Sequence, residues 1–140
     1  MKKILFILLI LVAVEFAAAG NKVKLTVKIT NIAVIKGEIE IGFYNNSAGF
    51  PDDDSQYKKL RVKVSSTTMF ISIELPKGEW AVAVYHDENN DKKINKNFFG
   101  IPKEHYGFSN NVKPVFSAPS FEKAKFKLYK SKTITIHLID

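Results

Sequence analysis

Oxygen-bearing side chains fall at alternate positions in the segment YHDENNDKKINKNFFG, residues 85–100. Calcium takes about six to eight oxygen ligands, and alternate residues of a tight loop can direct their side chains to one centre. The first half of the segment follows the ligand spacing of an EF-hand loop, with an apolar anchor, Ile94, at the eighth position. The spacing predicts a calcium site whose ligands are Asp87, Asn89, Asp91, the backbone carbonyl of Lys93, and Asn95.

The second half of the segment departs from the EF-hand pattern. Lys92 stands where glycine permits the sharp turn, and Phe98 stands where a glutamate binds the ion through both oxygens. Further ligands must then come from Asn97, from Glu104 or from water, which predicts weak affinity, about 10⁻⁴ to 10⁻³ M. The alternative is a polar turn in which Asp and Asn side chains accept hydrogen bonds from local backbone amides. The sequence leaves both interpretations open.

Ionisable and nucleophilic side chains of the same region are His86, Asp87, Glu104, His105 and Ser109. Ser109 does not lie in the Gly-x-Ser-x-Gly motif of a nucleophilic serine. A glycosidase uses two carboxylates at a defined separation, and the sequence does not give that distance. With His137, the histidines are too scattered for a zinc set, and there is no cysteine. We therefore predict a protein that is not an enzyme; the alternative is a small hydrolase that uses the loop 85–110.

Aromatic residues supply a third hypothesis, a binding surface. If their rings are exposed, they form a platform for sugar rings or for a protein partner. If their rings are buried, they form a small core of the loop itself. The residues in question are Tyr85, Phe99, Tyr106 and Phe108.

The first nineteen residues have the plan of a secretory signal peptide. Lys2 and Lys3 precede an apolar run, residues 4–14, and small residues end at Ala19. Cleavage after Ala19 predicts an exported protein, periplasmic or secreted, with one domain over residues 20–140. The alternative is an uncleaved leader, which is the only membrane anchor that this sequence predicts.

The composition is basic, with a formal net charge of +7 and a single arginine, Arg61. The lysines alternate along the predicted strands, as expected of a solvated face, and no nucleic-acid-binding module is recognisable. We therefore predict no nucleic-acid partner. Weak attraction to an acidic polysaccharide or to an anionic membrane surface is the alternative.

Apolar residues alternate with polar ones in seven segments, which is the period of a half-buried strand. These segments are residues 23–32, 37–44, 59–64, 70–75, 80–87, 123–129 and 133–139. They predict an all-β fold, a seven-stranded antiparallel β-sandwich of immunoglobulin-like type. Because the strand 80–87 has apolar residues on both faces, we expect it to be central.

The connection between the fifth and sixth strands, residues 88–120, is unusually long. Its large apolar residues indicate an ordered loop that packs over the sandwich. They are Phe98, Phe99, Ile101, Tyr106, Phe108, Val115, Phe116 and Phe121. A second short feature is expected at residues 52–57, where Asp52 or Asp53 would cap a helical turn.

Four stretches are distinctive when taken together: FISIELPKGEWAVAVYHDENNDKKIN, NFFGIPKEHYGFSNN, GFPDDD and FSAPSFEKAKF. Together they resemble a bacterial exported family known as domain of unknown function 2141. The resemblance runs from about Val23 to Leu138 and implies a small exported β-sandwich without implying a reaction. LPKGEWAVAVYHDENND is also similar, more loosely, to transthyretin-like and carboxypeptidase-regulatory sandwiches, which implies architecture alone. A partner is expected at the cell envelope, either an unknown protein or a polysaccharide.

Overall fold

Strands with alternating apolar residues make up most of the fold, and the computed structural model describes residues 20–99 and 102–140. The strands are β1 (Lys22–Thr30), β2 (Glu38–Tyr44), β3 (Lys58–Lys63), β4 (Met69–Pro76), β5 (Gly78–Asp87), β6 (Tyr106–Phe108), β7 (Phe126–Leu128) and β8 (Lys132–His137). Between β6 and β7 lie a 3-10 turn, Ser109–Asn111, and a short helix, α1 (Phe121–Ala124). No helix in these described ranges is long and apolar enough to cross a membrane.

The strands form two sheets. In the first sheet the order is β4-β1-β8, with β1 antiparallel to β4 and parallel to β8. In the second sheet β2 lies between β3 and β5, and both pairings are antiparallel. The far edge of β5 pairs with β7 along Gly78–Trp80 and with β6 along Ala83–Tyr85. The all-β, two-sheet prediction is confirmed.

The main core lies between the two sheets. The first sheet contributes the buried side chains of Leu25, Val27 and Ile29, and the second contributes Ile41 and Phe43, all fully buried. These residues are alternate positions of β1 and β2, so the period-two pattern of the sequence places one face of each strand in this core.

A second core lies on the outer face of the second sheet. There β5 presents Ala81, Ala83 and Tyr85, and Phe108 and Phe121 from the long connection pack against them. The opposite face of β5, with Trp80, Val82 and Val84, belongs to the main core. The prediction that this strand is central, with apolar residues on both faces, is confirmed.

The strand count and the direction of one pairing differ from prediction. Eight strands replace seven, because residues 106–108 of the long connection pair with β5. The purely antiparallel arrangement is wrong for the first sheet, because β8 returns beside β1 in the same direction. The connection between these two strands spans most of the chain, which gives room for a parallel crossover.

Two local predictions are also wrong. The segment 123–129 is not one strand: its start belongs to α1, where Phe121 and Ala124 are both buried on the same side of a helical turn. Residues 52–57 form turns instead of a capped helix. The carbonyl of Asp52 accepts hydrogen bonds from the Tyr44 and Ser55 hydroxyls, which are not helical partners.

The long connection is packed over the sandwich only in part. Its buried aromatic residues are Tyr106, Phe108 and Phe121. In contrast, Phe98, Phe99, Val115 and Phe116 are exposed, so packing of the whole segment was overpredicted. The expectations for Ile101 and for the leader, residues 1–19, lie outside the described residues.

Replacing Phe108 by alanine tests whether the second core stabilises the domain. The side chain is 1% exposed, so Phe108→Ala should lower the free energy of unfolding by about 3–5 kcal/mol, measured by urea denaturation. The control is Phe116→Ala. This side chain is 85% exposed, so the substitution should change the free energy of unfolding by no more than about 0.5 kcal/mol. Equal effects of the two substitutions would contradict a packed second core.

Candidate functional site

The last residue of β5, Asp87, is the centre of the candidate site. Its side chain is almost fully buried, and its Oδ2 accepts a hydrogen bond from the Lys92 amide at 2.9 Å. The guanidinium of Arg61 donates to the same oxygen at 3.4 Å. The other oxygen, Oδ1, is buried and accepts no hydrogen bond within the described residues. Such an oxygen needs a partner of positive charge or a hydrogen-bond donor.

The approach of β2 to β5 fixes the position of Asp87. Gly37, just before β2, has φ +70°, and a Cβ there would lie 2.0 Å from the Asp87 carbonyl oxygen. The carbonyl of Gly37 also accepts a hydrogen bond from the Val64 amide. Only glycine fits at this position, so the backbone just before β2 can lie directly against the end of β5.

The residues after β5 form a turn in which Asp and Asn side chains accept hydrogen bonds from nearby backbone amides. Asn89 Oδ1 accepts a hydrogen bond from the Asp91 amide, and Asp91 Oδ1 accepts one from the Lys93 amide. Asp91 Oδ2 accepts hydrogen bonds from the side-chain amides of Asn89 and Asn95. These bonds, with the Lys93 amide first, lower the pKa of Asp91. The turn therefore holds a charged Asp91 carboxylate in place.

Glu104 returns from the other end of the loop to the same place. One carboxylate oxygen from each of Asp87, Asp91 and Glu104 lies within 4.8 Å of the others. Burial, followed by the negative charges of Asp87 and Asp91, raises the pKa of Glu104 to about 7, although a hydrogen bond with Asn95 partly opposes this. Its Oε2 is buried and has no hydrogen-bond partner within residues 20–99 and 102–140. We call these three residues the carboxylate triad.

Of the predicted ligands, the structure brings two aspartates, Asp87 and Asp91, together with the alternative ligand Glu104. The Asn89 and Asn95 side chains make hydrogen bonds to Asp91, so they shape the turn. Lys93 contacts Asp91 through its amide, and the role predicted for its carbonyl stays a prediction.

Arg61 is the member of the site that sequence reasoning missed. On β3, it pairs across the strands with Glu40 of β2 and also lies near Glu38 and Asp87. It donates as well to the Lys92 carbonyl at 3.4 Å. The available signal was the chain's single arginine; its acidic neighbours become apparent only with the β2–β3 register, which sets Glu40 opposite Arg61.

The remaining candidate residues take structural positions. Ser109 is fully buried, its Oγ donates to the Ala124 carbonyl at 2.6 Å and accepts from the Val82 amide, so it is not a free nucleophile. His86 contacts the Lys36 carbonyl and His105 contacts Glu88, whereas His137 bonds to a threonine of β1. Among the described residues, the histidines do not form a metal-binding group.

Of the two alternatives for the candidate aromatic residues, an exposed platform or a small core, three of the four residues take the buried one. Tyr85, Tyr106 and Phe108 are at most 4% exposed and belong to the second core. Phe99 is 66% exposed, so it shares no surface with them. Tyr85 lies opposite Tyr106, and Ala83 lies opposite Phe108, in the pairing of β5 with β6, so the three rings share the face of the second sheet that the second core covers.

Lysines lie beside two acidic residues of the run at residues 52–54. Asp53 accepts from Lys59 at 2.7 Å, and Asp52 lies 3.5 Å from the Lys96 ammonium. Both carboxylates thus have cationic partners from the protein itself.

Fold and site together define a two-sheet all-β domain with a carboxylate triad at the end of its central strand. A bacterial family described as "Uncharacterized protein conserved in bacteria (DUF2141)" matches residues 27–137. Because the match covers most of the chain, the protein belongs to this family. No curated protein and no solved structure matches the chain.

The pKa of Glu104 gives a prediction about pH. Because its pKa in the folded state, about 7, lies above its ordinary value of 4.5, the folded state binds the proton more tightly than the unfolded state. Without metal, the stabilisation that results from the raised pKa of Glu104 is fully present below pH ~4.5 and is lost as the pH rises to ~7.

Thermal unfolding in a chelator, followed from pH 4.5 to 8, measures this contribution. Glu104→Gln should flatten the decline in stability over that range. Glu74→Gln, at an exposed position of β4, should leave the decline unchanged. A Glu104→Gln profile that overlays the wild-type profile would contradict the assignment.

Proposed function

We propose that this chain is an exported, non-catalytic accessory or binding protein of the cell envelope, and that the carboxylate triad holds a calcium ion. The signal-peptide pattern of residues 1–19 supports export. The two packed sheets support a domain of transthyretin-like or immunoglobulin-like architecture, a type that hosts many functions. The partner is an envelope protein or polysaccharide.

The observation that carries the calcium site is the pair of buried, unpartnered oxygens on converging carboxylates. Asp87 Oδ1 and Glu104 Oε2 both lack a hydrogen-bond donor among the described residues. One carboxylate oxygen from each of Asp87, Asp91 and Glu104 lies within 4.8 Å of the others, so three groups of like charge are close together. Like charges at this distance disfavour ionisation, and a bound divalent cation reverses that effect.

Calcium suits the chemistry of this site better than zinc. All three triad side chains offer hard carboxylate oxygens, which are the ligands that calcium prefers. The coordination shell is completed by the Lys93 carbonyl, by side-chain oxygens of Asn89 and Asn95, or by water. Three carboxylates beside Arg61 keep the affinity in the range of extracellular modules, about 10⁻⁴ to 10⁻³ M.

The role of the ion is structural. Asp87 and Asp91 lie at the start of the loop and Glu104 at its end, just before β6. An ion shared by these residues closes the loop and lowers the entropy cost of ordering it. The loop is then fixed relative to the second sheet.

A small hydrolase is the second candidate, because Glu104 has a pKa of about 7 beside the ionised Asp91 and the buried Asp87. A carboxyl with such a pKa suits a general acid. It ranks lower because Asp87 is only 3% exposed and is held by Arg61 and the Lys92 amide, which keeps a substrate from its carboxylate.

Calcium at about 5 mM should stabilise the chelator-treated protein by roughly 1–2 kcal/mol if the affinity lies in the expected range. For a domain of this size, that corresponds to a rise in Tm of about 3–10 °C, measured by scanning calorimetry. Asp91→Asn and Glu104→Gln should each reduce the rise, because each removes one charged ligand.

The control is Asp54→Asn, an acidic residue of a different loop that is exposed. This variant should show the full calcium-dependent rise. Equal Tm values of the wild-type protein with and without calcium would overturn the proposed site.

The affinity should also depend on pH. Glu104 must lose its proton to bind calcium, so with a pKa of about 7 the affinity should fall about tenfold between pH 8 and pH 6. Isothermal titration calorimetry at the two pH values measures this change. An affinity that is unchanged between them would exclude Glu104 as a ligand.

A further inference from the structure

The loop segment between Asp91 and Glu104 carries two exposed aromatic side chains at its tip. Phe98 is 97% exposed and Phe99 is 66% exposed. Their rings contact each other edge to face, with centroids 5.6 Å apart. Two large apolar side chains that project together into solvent are typical of a contact surface.

The tip is braced by its own backbone. Lys96 and Pro102 form a β-bridge, and the Lys103 amide donates to the Asn95 carbonyl at 2.6 Å. Asn97 Oδ1 accepts a hydrogen bond from the Phe99 amide. The two arms of the loop are therefore joined below the phenylalanines, which holds the rings away from the domain.

The charged residues of the loop segment that carries the two phenylalanines are all lysines. Residues 92–103 contain four lysines and no acidic residue. Lys92, Lys93 and Lys103 are exposed, whereas Lys96 lies 3.5 Å from an Asp52 carboxylate oxygen. In the sequence, three of these lysines lie between Asp91 and Phe98 and the fourth directly precedes Glu104, so the lysines stand on the two arms of the loop that carry the exposed rings.

We propose that this basic aromatic tip docks on the surface of an anionic phospholipid bilayer. Phenylalanine side chains enter the boundary between headgroups and acyl chains, and lysines beside them are attracted to anionic headgroups. Each lysine near such a surface contributes about fivefold to the affinity. This charge complementarity favours a bilayer over an uncharged sugar or an apolar protein groove.

Another exposed apolar pair, Val115 and Phe116, lacks this combination. Val115 and Phe116 are 75% and 85% exposed, but residues 112–120 contain a single lysine. Phe116 is therefore the matched control for exposure without clustered charge. The docking goes beyond the proposed calcium site and is independent of it.

Sedimentation with vesicles tests the proposal, using residues 20–140, which contain both sheets and both cores. The vesicles contain about one third phosphatidylglycerol in phosphatidylcholine, and the comparison vesicles contain phosphatidylcholine alone. All samples contain a chelator, so failure of the calcium site leaves the result unaffected. The wild-type protein should bind the anionic vesicles and bind the neutral ones at least about tenfold more weakly.

Two variants should weaken binding to the anionic vesicles by about tenfold or more. One is Phe98→Ser with Phe99→Ser, and the other replaces the four tip lysines by glutamine. Phe116→Ser should bind like the wild type.

A second control replaces four exposed lysines elsewhere by glutamine, with the same change in net charge; they are Lys22, Lys63, Lys127 and Lys130. It should retain at least half of the binding. The proposal is overturned if the wild-type protein does not bind anionic vesicles, if the phenylalanine variant binds as well as the wild type, or if the two lysine variants lose binding equally.

Discussion

Five carboxylates meet where β2 and β5 lie side by side and the loop returns, and a single arginine lies among them. They are Glu38, Glu40, Asp87, Asp91 and Glu104. Arg61 contacts the first three, and burial raises the pKa of Glu40 even beside this guanidinium. The last two lie close to each other and to Asp87, and burial, followed by the negative charges of Asp87 and Asp91, raises the pKa of Glu104 to about 7. The loop between β5 and β6 must therefore fold around a local excess of negative charge.

The second sheet holds both ends of this loop, and this attachment opposes the repulsion among the carboxylates. β5 has apolar residues on both faces until its last residues, and it is paired along both edges. Asp87 therefore lies at the end of a strand that is paired along both edges, where Gly37 permits close approach of β2. A loop that begins at such a strand and returns to it through β6 has both ends held by backbone hydrogen bonds. Repulsion at its base is then opposed by rigid attachments on both sides.

Periodicity in the sequence was enough to find most strands and the central position of β5. It failed for β6 because Tyr-Gly-Phe is too short for alternation to be visible, and for α1 because Phe121 and Ala124 resemble strand positions when taken with the residues after them. The parallel pairing of β8 with β1 depends on how distant strands meet, which local patterns do not encode. At the site, the alternating oxygens pointed to Asp87 and Asp91, and Glu104 stood only as an alternative. The place of Arg61 required the register between β2 and β3.

The central claim is that a cation joins both ends of the loop through the carboxylate triad. A high-resolution crystal structure of residues 20–140 grown with calcium tests it most directly. The account predicts density for one ion about 2.3–2.6 Å from an oxygen of each of Asp87, Asp91 and Glu104. A structure with no ion at that point, in which Glu104 turns away from the two aspartates into solvent, would contradict it.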